Sequence, residues 1–249
     1  MTFLCKSTIL LNMKKNITLL AVLLSLSLAS YGQKIPVDTI FANYYKATGG
    51  EKLWDSIKTY TLKQSFAAPG STPYDADISV SIPENAMYKS KTIMRRSFIY
   101  GVKDKEGWIK VPIGSKLDVR DLSPAEQTNM RYEIYDLLVP FKDYDDRGFV
   151  ATTVGQETLN KVLTNQVELQ GKEIKYNLWF DAKTGLLVRK KETMAGVETT
   201  TDLSNYVKSK YGILYPTKLV EINTVDKKAV TITSTLDINK SIAEELFVR

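Results

Sequence analysis

Ile174-Lys175-Tyr176-Asn177-Leu178-Trp179-Phe180-Asp181-Ala182-Lys183-Thr184-Gly185-Leu186-Leu187-Val188-Arg189-Lys190-Lys191 decides the architecture. Ile174, Tyr176, Leu178 and Phe180 alternate strictly with their neighbours, the period of a strand that buries one face. Asp181 to Gly185 supplies a tight turn, and residues 186–191 return as a second strand. The same pattern runs on toward the end of the chain, where residues 197–207, 214–222 and 230–238 read as further strands of a meander. Upstream, Tyr60, Leu62 and Phe66 share one alternation, and Ile78, Val80 and Ile82 share another. Residues 97–102 and 107–111 read as a hairpin around Asp104-Lys105-Glu106.

Two helical segments interrupt the strands. Ile40, Phe41, Tyr44 and Tyr45 recur at helical spacing, with Asp38 expected as the cap and Gly49-Gly50 as the stop. Residues 51–56 add one more turn. Ser123-Pro124-Ala125-Glu126 places a hydroxyl at the N-cap, proline at the first helical position and glutamate at the third, which is a capping box. Met130, Ile134, Leu137 and Leu138 follow on one face, and Pro140 closes a helix expected over 123–139. No repeat, low-complexity tract or linker divides the chain. The expectation is an α+β, mainly β domain over 33–249: one curved antiparallel sheet with a few helices against it.

The chain has 249 residues, one cysteine and no histidine. Catalytic triads that need histidine, imidazole acid–base chemistry and His-ligated metals are thereby excluded. Met13-Lys14-Lys15 followed by the uncharged apolar run from Ile17 to Ala29 reads as a secretory signal peptide over 1–32, with Met13 the better start. Cleavage is expected after Gly32, with Ser30 the alternative. It removes Cys5 and three lysines, so the net charge falls from +6 to +3. That gives no case for a nucleic-acid partner. Asp143, Asp145 and Asp146 before Gly148 have the wrong register for a calcium loop, because Arg147 and Val154 stand where oxygen ligands are needed. No metal, cofactor or catalytic residue is expected. Trp108, Trp179, Tyr132, Tyr135 and Phe141 suit either an ordinary core or the wall of an apolar cavity under a curved sheet.

The stretch from Leu178 to Arg189, with Trp179 and Asp181 before a Thr184-Gly185 turn and Arg189 on the returning strand, resembles a hairpin of the outer-membrane lipoprotein-sorting (LolA/LolB-like) proteins. Tyr211-Gly212-Ile213-Leu214-Tyr215-Pro216-Thr217-Lys218-Leu219 resembles the family's following segment. The opening helix with Tyr45, Ala47, Gly49-Gly50 and Leu53, together with Trp108 and the capped helix, extends the resemblance over roughly 38 to 249. At one place the chain departs from it. The sorting carrier has an Arg-Pro pair whose arginine helps hold its cavity closed, where this chain reads Ile82-Pro83 and only Lys89 follows as a cation without the planar fork.

The resemblance implies an unclosed antiparallel β-barrel of about eleven strands, with helices covering an apolar cavity. It implies an exported periplasmic, non-enzymatic and monomeric carrier or binder of acyl chains or lipoproteins, in peripheral contact with membrane. The competing reading is an interaction or sensor module of the same fold that binds an envelope protein. If the capped helix crosses the mouth of the sheet, its stripe and the nearby aromatics should line the ligand cavity: Trp108, Met130, Ile134, Leu137, Leu138 and Phe141.

Overall fold

A computed structural model describes residues 34–249, of which Ile35–Arg249 form one compact unit. The signal-peptide reading of 1–32, with Met13 and Cys5, lies outside the described residues. Helix α1 (Val37–Ala47) and the short α2 (Glu51–Asp55) precede six strands: β1 (Thr59–Ala67), β2 (Tyr74–Ser81), β3 (Ala86–Ile93), β4 (Arg96–Lys103), β5 (Glu106–Ile113) and β6 (Lys116–Asp121). Helix α3 (Pro124–Asp136) then leads into β7 (Val150–Leu159), β8 (Val162–Gln170), β9 (Ile174–Asp181) and β10 (Leu187–Met194). β11 (Val197–Lys208), β12 (Leu214–Asn223), β13 (Val230–Ile238) and a 3-10 turn (Glu244–Phe247) complete the order.

All thirteen strands lie in one sheet, in the order β6-β5-β4-β3-β2-β1-β13-β12-β11-β10-β9-β8-β7. Every pairing is antiparallel. Two meanders are therefore joined side by side where β1 meets β13, from Tyr60↔Ile238 to Ala67↔Thr231. β6 and β7 remain edges, so the sheet is unclosed, and the chain between those edges carries α3.

The β9–β10 hairpin turns because the Asp181 carboxylate accepts from the backbone N–H groups of Lys183 and Thr184 at 2.7 and 2.9 Å. Gly185 completes the turn at φ 76°, and a Cβ there would lie 2.9 Å from the Asn43 carbonyl oxygen of α1. Helix and hairpin thus approach at a distance only glycine permits.

The described residues form thirteen strands where the resemblance implied about eleven, and β3 and β6 are among those least legible in the sequence. β3 places Lys89 and Lys91 on the same face as buried Met87, so its inward positions do not read as apolar. β6 is exposed along its whole length: Leu117 and Val119 alternate with charged residues but neither is buried, as suits a charged edge strand. The helix ends also differ. Pro36 rather than Asp38 occupies the N-cap of α1, and Asp38 sits in the first turn, where its charge meets the positive end of the helix. α3 ends at Asp136, and Leu138 and Val139 donate back to the Tyr135 carbonyl in a tightened last turn before Pro140.

An aromatic cluster fills the space between α1, the segment after α3 and β9. Phe41 stacks on Phe141 at 4.3 Å, and Tyr44 and Phe180 meet Phe141 edge-on at 5.2 and 5.5 Å. Trp54 donates its indole N–H to Thr48 Oγ1 at 2.9 Å, so the buried ring keeps its polar atom satisfied.

Candidate functional site

α3 starts where the capping box fixes it. The backbone N–H of Glu126 donates to Ser123 Oγ at 3.3 Å, and Glu126 Oε2 accepts from the Ser123 N–H at 2.8 Å. The helix then lies against the sheet and is tied to strands of both meanders. Lys89 of β3 pairs with Glu133 at 2.6 Å, and Lys190 of β10 pairs with Asp136 at 3.2 Å. Tyr60 of β1 donates its hydroxyl to the Ile134 carbonyl at 2.8 Å. Alongside this helix is a cavity of ≈ 420 Å³.

The sheet wall of the cavity follows from register. On β1 and β13 the inward pairs are Leu62↔Leu236, Gln64↔Ser234 and Phe66↔Ile232. An apolar layer is thus followed by a polar one, in which Gln64 Nε2 donates to Ser234 Oγ at 3.1 Å, and then by an aromatic rim where Phe66 stacks on Tyr74 at 4.4 Å. Leu187, Leu203 and Leu219 continue the wall on the other meander. Met130, Leu137 and Leu138 close it from the helix side.

Charge gathers along one side of this cavity, where burial governs protonation. Burial works against the Lys190 ammonium, yet Asp136, with Glu192 and Glu221 behind it, outweighs that and raises its pKa. Glu192 lies just behind the lining; burial first, then the Asp136 carboxylate, lifts it to about 8. Burial likewise raises Glu221, which lines the cavity. Asp136 Oδ1 and the Tyr176 hydroxyl are buried here without a close hydrogen-bond partner.

Of the six residues expected to line the cavity, Met130, Leu137 and Leu138 do so and the other three do not. Ile134 is fully buried in the hydrophobic core, with its carbonyl bound by Tyr60. Phe141 belongs to the aromatic core under α1. Trp108 lies on the opposite face of β5 from Ile109, lodged over Gly101 of β4, where a Cβ would overlap its indole. The 3-10 turn packs against β3 and β4. Trp179 also faces away, donating to Glu157 at 2.9 Å. Sequence reasoning left out the strand residues of the wall, although the Leu62–Phe66 alternation marked their common face, and left out the charged set, whose only signal was lysine at inward strand positions.

No family model and no curated protein sequence matches the chain. Solved structures do. A DUF1329 family protein from Desulfovibrio piger aligns with a TM-score of 0.57 at 14% identity, covering 85% of this chain and 97% of that one. A LolA superfamily protein from Nitrosomonas europaea gives 0.56 at 11% identity, covering 86% and 98%. A domain described as an outer membrane lipoprotein-sorting protein, from Vibrio parahaemolyticus, gives 0.52 at 11%, covering 76% and 88%. The chain therefore has a LolA-like fold, as the hairpin and capped helix led one to expect.

Proposed function

We propose that this chain is an exported, periplasmic, non-enzymatic carrier or binder of a hydrophobic ligand, an acyl chain or an acylated protein. The observation that carries the reading is the cavity beside α3: ≈ 420 Å³, lined by leucines from both meanders and covered by Met130, Leu137 and Leu138. That volume falls in the range of about 300–1,000 Å³ typical of small-molecule sites. Each methylene buried there contributes about 0.8 kcal/mol. The acidic groups do not favour catalysis, because Glu133 and Asp136 are each matched to a lysine and Glu192 is set behind the lining. The interaction-module reading is the less favoured one, since it calls for a collapsed cavity.

Titrating the folded protein with an acyl-chain fluorophore tests this. Saturable binding is expected, and Leu137→Lys, which puts a charge among the lining residues, should abolish it at some cost in stability. No saturation up to high micromolar probe would overturn the carrier reading in favour of the interaction module. The leader is tested separately: N-terminal sequencing of the exported protein should begin near Gln33, and an intact apolar run in the membrane fraction would refute export by cleavage.

A further inference from the structure

The three lysines that line the cavity are not equivalent. Lys89 and Lys190 are each matched to a carboxylate of α3 at 2.6 and 3.2 Å. Lys91, two residues farther along the same face of β3, makes no ion pair or hydrogen bond among the described residues. Its Nζ rests 4.0 Å over the ring of Tyr74, at the half-buried rim where Tyr74 stacks on Phe66. Burial, and then the neighbouring charge of Lys89, depresses its pKa, and no carboxylate offsets them. From that rim the wall runs inward through Ala76 and Leu62 to Leu236, all almost wholly buried. A cation at the entrance of an apolar passage is a head-group position short of one anion.

We infer that the cavity takes a free long-chain carboxylic acid, its carboxylate accepting a hydrogen bond from Lys91 over the Tyr74 ring and its chain running inward along Ala76, Leu62 and Leu236. The inference rests on the carrier reading and narrows it. Acyl chains attached to a protein end in neutral esters or amides, which leave the ammonium uncompensated. A phosphate head would ask for several donors at once, and this rim offers one unmatched cation. The aromatic pair beneath the ammonium holds it in place and excludes water from one side, so the charge-assisted bond forms in a partly dehydrated setting.

The experiment compares hexadecanoic acid with hexadecanol, equal in chain length and different only in the head, on the folded protein near neutral pH. Wild type should bind the acid about tenfold or more tighter than the alcohol, the magnitude of a single charge-assisted hydrogen bond. Lys91→Met, which keeps the length of the side chain, should bind both with the affinity wild type shows for the alcohol. Lys91→Arg should retain the preference. Equal binding of acid and alcohol by wild type, or a preference that survives in Lys91→Met, overturns the head-group assignment and leaves the carrier reading standing. If neither ligand binds wild type, the carrier reading falls and the assignment with it.

Discussion

Glu192→Gln should make the protein more stable in mild alkali. Glu192 lies on β10 opposite Tyr176 of β9, beside Asp136 and Lys190. Burial, then the Asp136 charge, lifts its carboxyl to about 8, against an unfolded value of about 4.3. Between those values the folded chain holds a proton that the unfolded chain has released. Stability contributed by the neutral acid is therefore complete below about pH 4.3 and is lost as pH rises toward about 8, at about 1.4 kcal/mol per pH unit. A loss on the order of 2–4 kcal/mol is expected between about pH 5 and about pH 8. Glutamine keeps the shape and a donor without the titration. Urea denaturation at four or five pH values should show a falling wild-type curve and a flatter variant curve, crossing so that the variant is the more stable near pH 8. Parallel curves would refute the assignment of the buried proton to this group.

Ser123→Ala, which removes the hydroxyl that caps α3, should cost about 1 kcal/mol in chemical denaturation and leave acyl-probe affinity unchanged. Gly101→Ala forces a Cβ into the Trp108 indole and should cost about 1–3 kcal/mol by overpacking, with altered Trp fluorescence but intact probe binding, because Trp108 faces away from the cavity.

What the sequence disclosed and what it concealed divide along physical lines. The β9–β10 hairpin and the start of α3 were legible because the residues that fix them are neighbours: Asp181 folds over Lys183 and Thr184, and Ser123 reaches Glu126. β6 gave only the short alternation of Leu117 and Val119 because an exposed edge has no face to hide, and β3 gave little because its inward positions face a cavity and bear lysines. Trp108 was misplaced for a subtler reason. In Trp108-Ile109-Lys110-Val111 either parity suits an inward face, and the neighbouring β3 and β4 also pack against a segment from the far end of the chain. Phe141 and Ile134 are as apolar as Leu137 and Leu138, but composition does not tell which side of a helix or turn meets packed rings and which meets open space. Glu133, Asp136, Lys190 and Glu221 come from three separate elements, so their meeting is a product of topology alone.

The pairing of β1 with β13 sets the order in which this chain can assemble. Every other strand pairs with its neighbour in sequence, so either meander can zip up locally and fast. The central seam instead closes a loop of 170 residues between Gln64 and Ser234. It must wait until nearly the whole chain is available, and until then β1 and β13 each expose a full edge in the middle of the future sheet. The folding chain therefore passes through a stage with two half-sheets and unpaired strands, the state most open to swapping β13 with another copy. Folding rate should track the seam, so substitutions along β1 and β13 should slow refolding more than equally destabilising ones in β7 or β8.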